Sequence, residues 1–138
     1  MKNILLILLT IFCIGQKTFA YDCAVGGIAY NLNYNTASVT YFSMEYNHGY
    51  YFREVKIPSH ITYDGTTYTV NTIAENAFIN CTKLTSITIP STVTYIHGEA
   101  FAGCSSLSVL TIEDRKQPLF LDAKTTGFKY YREGVFAD

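Results

Sequence analysis

The chain has 138 residues, with 10 Lys or Arg against 11 Asp or Glu and a formal net charge of −1. A charge so near zero gives no electrostatic reason to bind nucleic acid or an anionic membrane. Twelve Tyr, nine Phe and no Trp, together with many Thr and Ile, favour strands over long helices.

Residues 1–20 are typical of a secretory signal peptide, because Lys2 precedes an apolar run from Ile4 to Ile14 and small residues lead up to Ala20. The run is too short to span a bilayer comfortably. We therefore expect cleavage after Ala20, no membrane insertion afterwards, and a secreted or cell-surface protein. An uncleaved N-terminal anchor is the alternative. Cleavage would leave eight basic against eleven acidic residues, a net charge of about −3.

Residues 21–54 are predicted to form an N-terminal β cap. Residues 25–32 read as one short strand and residues 37–41 as another, since both are rich in apolar and β-branched side chains. A stack of repeats needs such a cover, because its terminal repeat otherwise exposes apolar surface.

A hairpin insertion is predicted at residues 59–72. Asp64-Gly65 is a strong two-residue hairpin turn, and the stretches on either side of it alternate in polarity. The insertion lengthens the interval between Ile57 and Ile89, which end equivalent strands. We interpret it as structural rather than as a binding loop.

An internal repeat follows, in which NAFINCTKL at 76–84 recurs as EAFAGCSSL at 99–107. The matched positions are Ile73, Ala77, Phe78, Cys81, Leu84, Ile87 and Ile89 in the first copy and Ile96, Ala100, Phe101, Cys104, Leu107, Leu110 and Ile112 in the second. Agreement at seven positions with one constant spacing indicates a true repeat, and its strand portion has the L-x-x-L-x-L skeleton of a leucine-rich repeat.

Each repeat is predicted to stack on the next, because one repeat cannot bury its own apolar face. Ile87 and Ile89 should point inward, since side chains alternate along a strand, and Pro90 should end that strand. Val93 and Ile96 should then return to the core. Residues 99–101 read as a short helical turn.

The phrase TSITIPSTVTYIHGEAFAGCSSL at 85–107 resembles the BspA-like subfamily of leucine-rich repeats, whose repeat reads approximately LxxIxIPxxVxxIgxxAFxxCxxL. The resemblance is specific over residues 73–113 and extends to Val55-Lys56-Ile57-Pro58-Ser59, so we place the repeats at 55–114. It implies a leucine-rich-repeat solenoid, β-rich with short helical turns. Members of the family are commonly surface or secreted proteins, and several are implicated in adhesion.

Cys81 and Cys104 occupy one repeat position and are expected to be neighbours about 5 Å apart. That separation permits a disulfide. A cysteine that recurs once per repeat is better explained as a buried, unbridged residue of the turning backbone, and we favour that interpretation. With Cys23, three cysteines follow residue 20, so at least one of them stays outside any intramolecular disulfide.

Residues 115–138 are predicted to be a degenerate or truncated C-terminal coil. The periodicity stops after residue 114, residues 118–121 look like an irregular strand, and residues 134–138 look like the start of a further repeat. Either this tail is a degenerate cap or the chain is a fragment of a longer array. An exposed C-terminal coil would allow self-association.

No catalytic, cofactor-binding or metal site is predicted. His60, Asp64, His97 and Glu99 are the only candidates for acid–base work, and no nucleophile or phosphate-loop motif accompanies them. Two cysteines without CxxC spacing do not make a metal site. We therefore predict that the protein is not an enzyme, and a hydrolase with unrecognised residues is the weakest alternative.

A partner-contact strip is predicted on the outward positions of the stacked strands. Its residues are Glu54, Lys56, Ser86, Thr88, Val109 and Thr111. The first hypothesis is that this polar β face binds a protein or glycan partner. The alternative is a structural cap-plus-repeat segment of a larger surface protein, with no ligand of its own.

Overall fold

The computed structural model describes residues 21–42, 51 and 53–122, and within them the chain forms ten β-strands. The strands are β1 (Cys23–Val25), β2 (Ile28–Asn33), β3 (Thr36–Thr40), β4 (Arg53–Lys56), β5 (His60–Tyr63), β6 (Thr66–Ile73), β7 (Leu84–Ile89), β8 (Tyr95–Ile96), β9 (Val109–Ile112) and β10 (Phe120–Leu121). The predicted signal peptide and residues 123–138 lie outside the described residues.

The strands form two sheets. Sheet A has seven strands in the order β1-β2-β3-β6-β8-β10, with β5 paired to β6, and sheet B has three strands in the order β4-β7-β9. All the pairs of sheet B are parallel, as are β6 with β8 and β8 with β10. The chain therefore alternates between the sheets, and we call each successive pair of strands a coil: β4 with β6, β7 with β8, and β9 with β10.

Residues that are one sequence repeat apart pair with each other on adjacent strands in both sheets. Ile87 pairs with Leu110 in sheet B, and Ile73 pairs with Ile96 in sheet A. As predicted, Ile87, Ile89, Val93 and Ile96 are buried between the sheets, and β7 ends directly before Pro90. Side chains from the two sheets meet because alternate residues of each strand face inward.

The hairpin with the Asp64-Gly65 turn is present, and both turn residues have positive φ, 47° and 74°. Its second strand does not stop at the insertion, because β6 continues to Ile73 and there pairs with β8. The second half of the inserted segment is thus an extension of a strand that the repeat itself requires, and β5 pairs with that extension.

The N-terminal strands differ in detail from the prediction. Residues 25–32 are not one strand, because Gly26 and Gly27 form the turn of a β1–β2 hairpin with positive φ at both positions. The strand β3 joins sheet A by parallel pairing with β6. That these strands act as a cap stays a prediction.

The predicted short helical turn is wrong. Residues 99–104 make successive turns in which Ala102 N–H donates to Glu99 O (3.0 Å) and Cys104 N–H donates to Phe101 O (3.2 Å). Glu99 has a φ of 59° and Gly103 a φ of 74°. A right-handed helix cannot propagate through left-handed residues, so the corner remains a pair of tight turns. No residue that the structure describes is helical.

The third coil is longer than the repeat. Phe120 pairs with Tyr95, a position at which the repeat spacing would place Pro118, so strand pairing continues beyond the point at which the sequence periodicity stops. The extra residues lie between β9 and β10, where the Arg115 side chain donates to Val93 O (2.6 Å), Gln117 O (2.7 Å) and Pro118 O (3.2 Å). Arg115 therefore links this loop to the preceding coil.

Candidate functional site

The six residues of the predicted strip lie in two rows across sheet B. Glu54, Ser86 and Val109 are in register with one another, and so are Lys56, Thr88 and Thr111. Between the rows lie the inward-facing residues of the same strands. The structure thus brings together six positions that are spread along the sequence from Glu54 to Thr111.

The strip is polar and unevenly exposed. Glu54, Lys56, Val109 and Thr111 are exposed, whereas Ser86 and Thr88, on the central strand, are half-buried by their neighbours. Both charges lie on β4, so one side of the strip is charged and the other carries Thr111 and the apolar Val109. Strands are about 4.8 Å apart, so three of them measure about 10 Å across.

A second set of hydroxyl groups links neighbouring strands at the N-terminal ends of β7 and β9. Thr85 Oγ1 donates to Arg53 O (2.8 Å), and Ser108 Oγ donates to Thr85 O (3.3 Å). These bonds run from one strand to the next at equivalent positions of the repeat. Sequence reasoning missed them, although Thr85 and Ser108 are equivalent positions of consecutive repeats and both carry hydroxyls.

A shallow depression of about 300 Å³ adjoins the charged side of the strip. Its lining residues are Gly26, Gly27, Ile28, Tyr51, Glu54, Val55 and Lys56. The β1–β2 turn forms one wall and β4 the other. The depression therefore extends the surface available beside Glu54 and Lys56.

The four acid–base candidates lie on exposed positions. His60 is on β5, where its Nδ1 is 3.0 Å from Ser59 Oγ, and Asp64 is in the hairpin turn. His97 follows β8 and contacts the Tyr95 ring, with centroids 4.6 Å apart, while Glu99 lies in the next turn. Among residues 21–42, 51 and 53–122, no group of three or more His, Cys, Asp or Glu side chains is arranged to hold a metal ion.

Sheet A carries exposed aromatic side chains that the sequence reading did not single out. Tyr95 and Phe120 are in register on adjacent parallel strands, and Phe120 is 58% exposed. The outward orientation of Tyr95 could have been predicted from the sequence, because the residue before the inward-facing Ile96 must face outward. The β10 partner could not be assigned from the repeat, since its register departs from the repeat spacing.

Cys81 and Cys104 lie against each other at the same corner of consecutive coils. The Cys104 thiol donates to Phe78 O (3.0 Å), and the Cys81 thiol donates to Ile79 O (3.8 Å), the next carbonyl along the chain. Cys81 is fully buried and Cys104 is partly exposed, and neither is in a disulfide. This is the neighbour relation that the repeat predicts.

The chain belongs to the BspA-type leucine-rich-repeat family. A family profile described as "BspA type Leucine rich repeat region (6 copies)" matches residues 48–119, just over half of the chain. No curated protein matches the chain. In the part of the chain that the structure describes, there is no helix long and apolar enough to cross a membrane.

Solved structures of leucine-rich-repeat proteins are similar to this chain. A leucine-rich repeat protein from Bacteroides ovatus is 36% identical over 65% of the chain, with a TM-score of 0.57. A leucine rich cell surface protein from Faecalibacterium prausnitzii is 34% identical over 67% of the chain, with a TM-score of 0.56. The match spans 23% of each of those proteins. A leucine-rich repeat protein from Bacteroides capillosus is 28% identical, over 65% of this chain and 64% of that one, with a TM-score of 0.54.

Proposed function

We propose that the protein is a secreted or cell-surface binding protein, built as a leucine-rich-repeat solenoid, that presents the polar strip of sheet B to a protein or glycan partner. The observation that carries the proposal is the alignment of the strip residues in two rows on adjacent parallel strands. Parallel strands in fixed register hold their outward side chains at constant spacing, which is the requirement for a preorganised contact surface.

The chemistry of the strip fits a polar ligand. Hydroxyl groups at Ser86, Thr88 and Thr111 can donate and accept hydrogen bonds, and Glu54 and Lys56 offer one charge of each sign. The hydroxyl bonds at Thr85 and Ser108 add links between the strands that carry the strip.

The size of the strip limits the strength of binding. A standard interface takes about 800 Å² from each partner, and a surface about 10 Å wide supplies only part of that area. We therefore expect weak binding by a single chain and stronger retention when several copies are displayed together. The location at the cell surface is supported by the pattern of residues 1–20 and by the printed name of the F. prausnitzii protein.

Paired substitutions test the strip directly. The protein, immobilised at high density, would be probed with an oligosaccharide array and with a panel of purified extracellular proteins. The double substitution Thr88→Glu with Thr111→Glu places two carboxylates across one strand pair of sheet B. We expect it to lower retention of a bound probe at least tenfold, because a carboxylate is larger than the hydroxyl group and repels polar acceptors.

The matched control is Thr62→Glu with Thr67→Glu, which places the same two carboxylates across one strand pair of sheet A. It should leave retention unchanged. Equal loss in both variants, or in neither, would show that the strip is not the contact surface.

A structural segment of a larger surface protein is the second candidate function. The observation that favours it is the third coil, whose Leu110 and Ile112 are only half-buried although their counterparts Ile87 and Ile89 are buried. Such a coil suits a segment that stacks on further repeats. If no probe is retained by the wild-type protein, this candidate replaces the first.

A further inference from the structure

The repeat places the Cys81 and Cys104 side chains next to each other. They occupy equivalent positions of consecutive coils, and the corner that carries them is bonded between coils by Phe78 N–H to Ala100 O (2.8 Å) and by Asn80 N–H to Ala102 O (2.7 Å). Backbone segments that are hydrogen-bonded in this way lie about 4.8 Å apart. That spacing falls within the range of about 4.4–6.8 Å between Cα atoms that a disulfide requires.

The side chains also point the right way. The Cys104 thiol donates to Phe78 O (3.0 Å) in the preceding coil, and the Cys81 thiol donates to the adjacent carbonyl, Ile79 O (3.8 Å). Both sulfurs therefore face the same gap between coils. Since the spacing of paired segments lies within the range that a disulfide requires, we expect side-chain rotation to bring the two sulfurs to bonding distance.

The two thiols differ in access and in acidity. Cys81 is 0% exposed, whereas Cys104 is partly exposed. The neighbouring Cys104 thiol, together with burial, raises the pKa of Cys81. The Cys81 thiol and backbone amide lower the pKa of Cys104, although its own burial acts in the opposite direction. Solvent reagents thus reach Cys104 first, and Cys104 is also the better nucleophile of the pair.

We propose that Cys104 is a modification site for low-molecular-weight disulfides and that Cys81 resolves the adduct into a Cys81–Cys104 bridge. In the first step the Cys104 thiolate attacks one sulfur of the reagent, forms a mixed disulfide and releases one thiol. In the second step Cys81 loses its proton, attacks Cys104 Sγ and releases the other thiol. Two protein thiols are oxidised to a disulfide, and the reagent takes up the two electrons and two protons.

The bridge would join the second coil to the third. The third coil is the more exposed of the two, and a covalent link would hold its corner in place whatever surface the protein uses for binding. The proposal is independent of the strip on sheet B.

Oxidised glutathione is the probe for the experiment. The substitutions Cys13→Ser and Cys23→Ser leave Cys81 and Cys104 as the only cysteines of the chain. In this background we expect glutathione disulfide to remove two hydrogens from the intact mass, and non-reducing peptide mapping to recover one peptide pair joined through Cys81 and Cys104.

Adding Cys81→Ser should trap one glutathione per chain on Cys104, because the resolving thiol is gone. Adding Cys104→Ser, or Cys104→Ala if the serine variant folds poorly, should leave Cys81 unmodified in the folded protein. Retention of glutathione on Cys81, or failure of the Cys81→Ser variant to trap it on Cys104, would overturn the proposal. So would the recovery of only reduced peptides from the parent.

Discussion

The second and third coils have the same sequence pattern but are packed differently. Ile87 and Ile89 of the second coil are 1% and 0% exposed, while Leu110 and Ile112, their partners in register, are half-buried. Leu84 and Leu107 differ in the same way. The side chains are nearly equivalent in size, so the difference arises from position in the stack and not from the choice of residue.

This difference shows what a repeat sequence does and does not determine. The repeat specifies which side chains face inward, because that depends on alternation along each strand. Burial depends on a neighbour on each side, and each coil contacts only its neighbours. Stability in such a protein is therefore expected to vary along the stack, with the third coil opening more readily than the second.

The largest expected effect is at the centre of sheet B. Ile87→Ala should lower the free energy of unfolding by about 2–5 kcal/mol, because it removes a buried side chain and leaves a cavity. Leu110→Ala, in the same row, should cost less than half as much, since its side chain is already partly exposed. Urea unfolding of the two variants measures both values.

Hydrogen exchange provides the control for that comparison. The amides of β7 should exchange more slowly than those of β9 in the wild-type protein. Equal losses of stability for Ile87→Ala and Leu110→Ala, together with equal exchange rates in the two strands, would contradict a gradient along the stack.

Much of the fold could be predicted because it depends on local rules. The constant spacing of the repeat predicts which residues pair on adjacent strands. Strand geometry explains the alternation of Ile87 and Ile89 with polar residues, and the missing N–H of Pro90 explains why the strand ends there. The corner at residues 99–101 could not, because a short Ala-Phe segment is compatible with either a helical turn or tight turns. The left-handed conformation of Glu99 decides between them, and nothing in the residue type requires it.

The next largest effect concerns the third coil, where the Arg115 side chain bonds to three carbonyl oxygens. Arg115→Ala removes hydrogen bonds to Val93 O, Gln117 O and Pro118 O. Bonds from a charged donor contribute about 1.5–3 kcal/mol when partly buried, and we expect a loss of that size. Arg115→Lys should lose nearly as much, because an ammonium group cannot reproduce the planar, forked contacts of a guanidinium.

Lys116→Ala is the matched control, since Lys116 is adjacent and exposed. Hydrogen exchange should show that Arg115→Ala accelerates opening in β9 and β10 but not in β7. Uniform acceleration in all three strands would mean that Arg115 supports the whole molecule and not this coil alone.

The candidate strip also shows that the repeat predicts some positions, whereas others depend on an insertion or an irregular loop. The two rows follow from the repeat, because any two residues of β7 and β9 that are separated by one repeat must be neighbours. Glu54 and Lys56 could be placed only by recognising that the interval between β4 and β7 contains an insertion. Arg115 carries no repeat signal at all, since its role depends on the irregular loop between β9 and β10.

The smallest expected effect is on the stability of glycine variants, and it distinguishes left-handed backbone strain from side-chain crowding at one position of the repeat. Asn80 and Gly103 are equivalent, and both have positive φ, 57° and 74°. A Cβ at Gly103 would meet the Asn80 side-chain oxygen and lie 3.2 Å from Asn80 Cα, whereas a Cβ at Gly65, also at φ 74°, would meet nothing within 4 Å. Gly65→Ala should therefore cost about 1–2 kcal/mol from left-handed strain alone.

Gly103→Ala should cost more than Gly65→Ala, because it adds contact between the second and third coils to the same strain. Asn80→Gly removes the crowding side chain but leaves the backbone Cα of residue 80 at 3.2 Å, so Gly103→Ala made in that background should cost less than it does in the wild-type protein and still more than Gly65→Ala. Urea unfolding of these variants measures the difference. If Gly103→Ala and Gly65→Ala cost the same, the two coils have enough freedom at this corner to move apart. The third coil would then be held by its strand pairing and by Arg115 rather than by close packing of the turns.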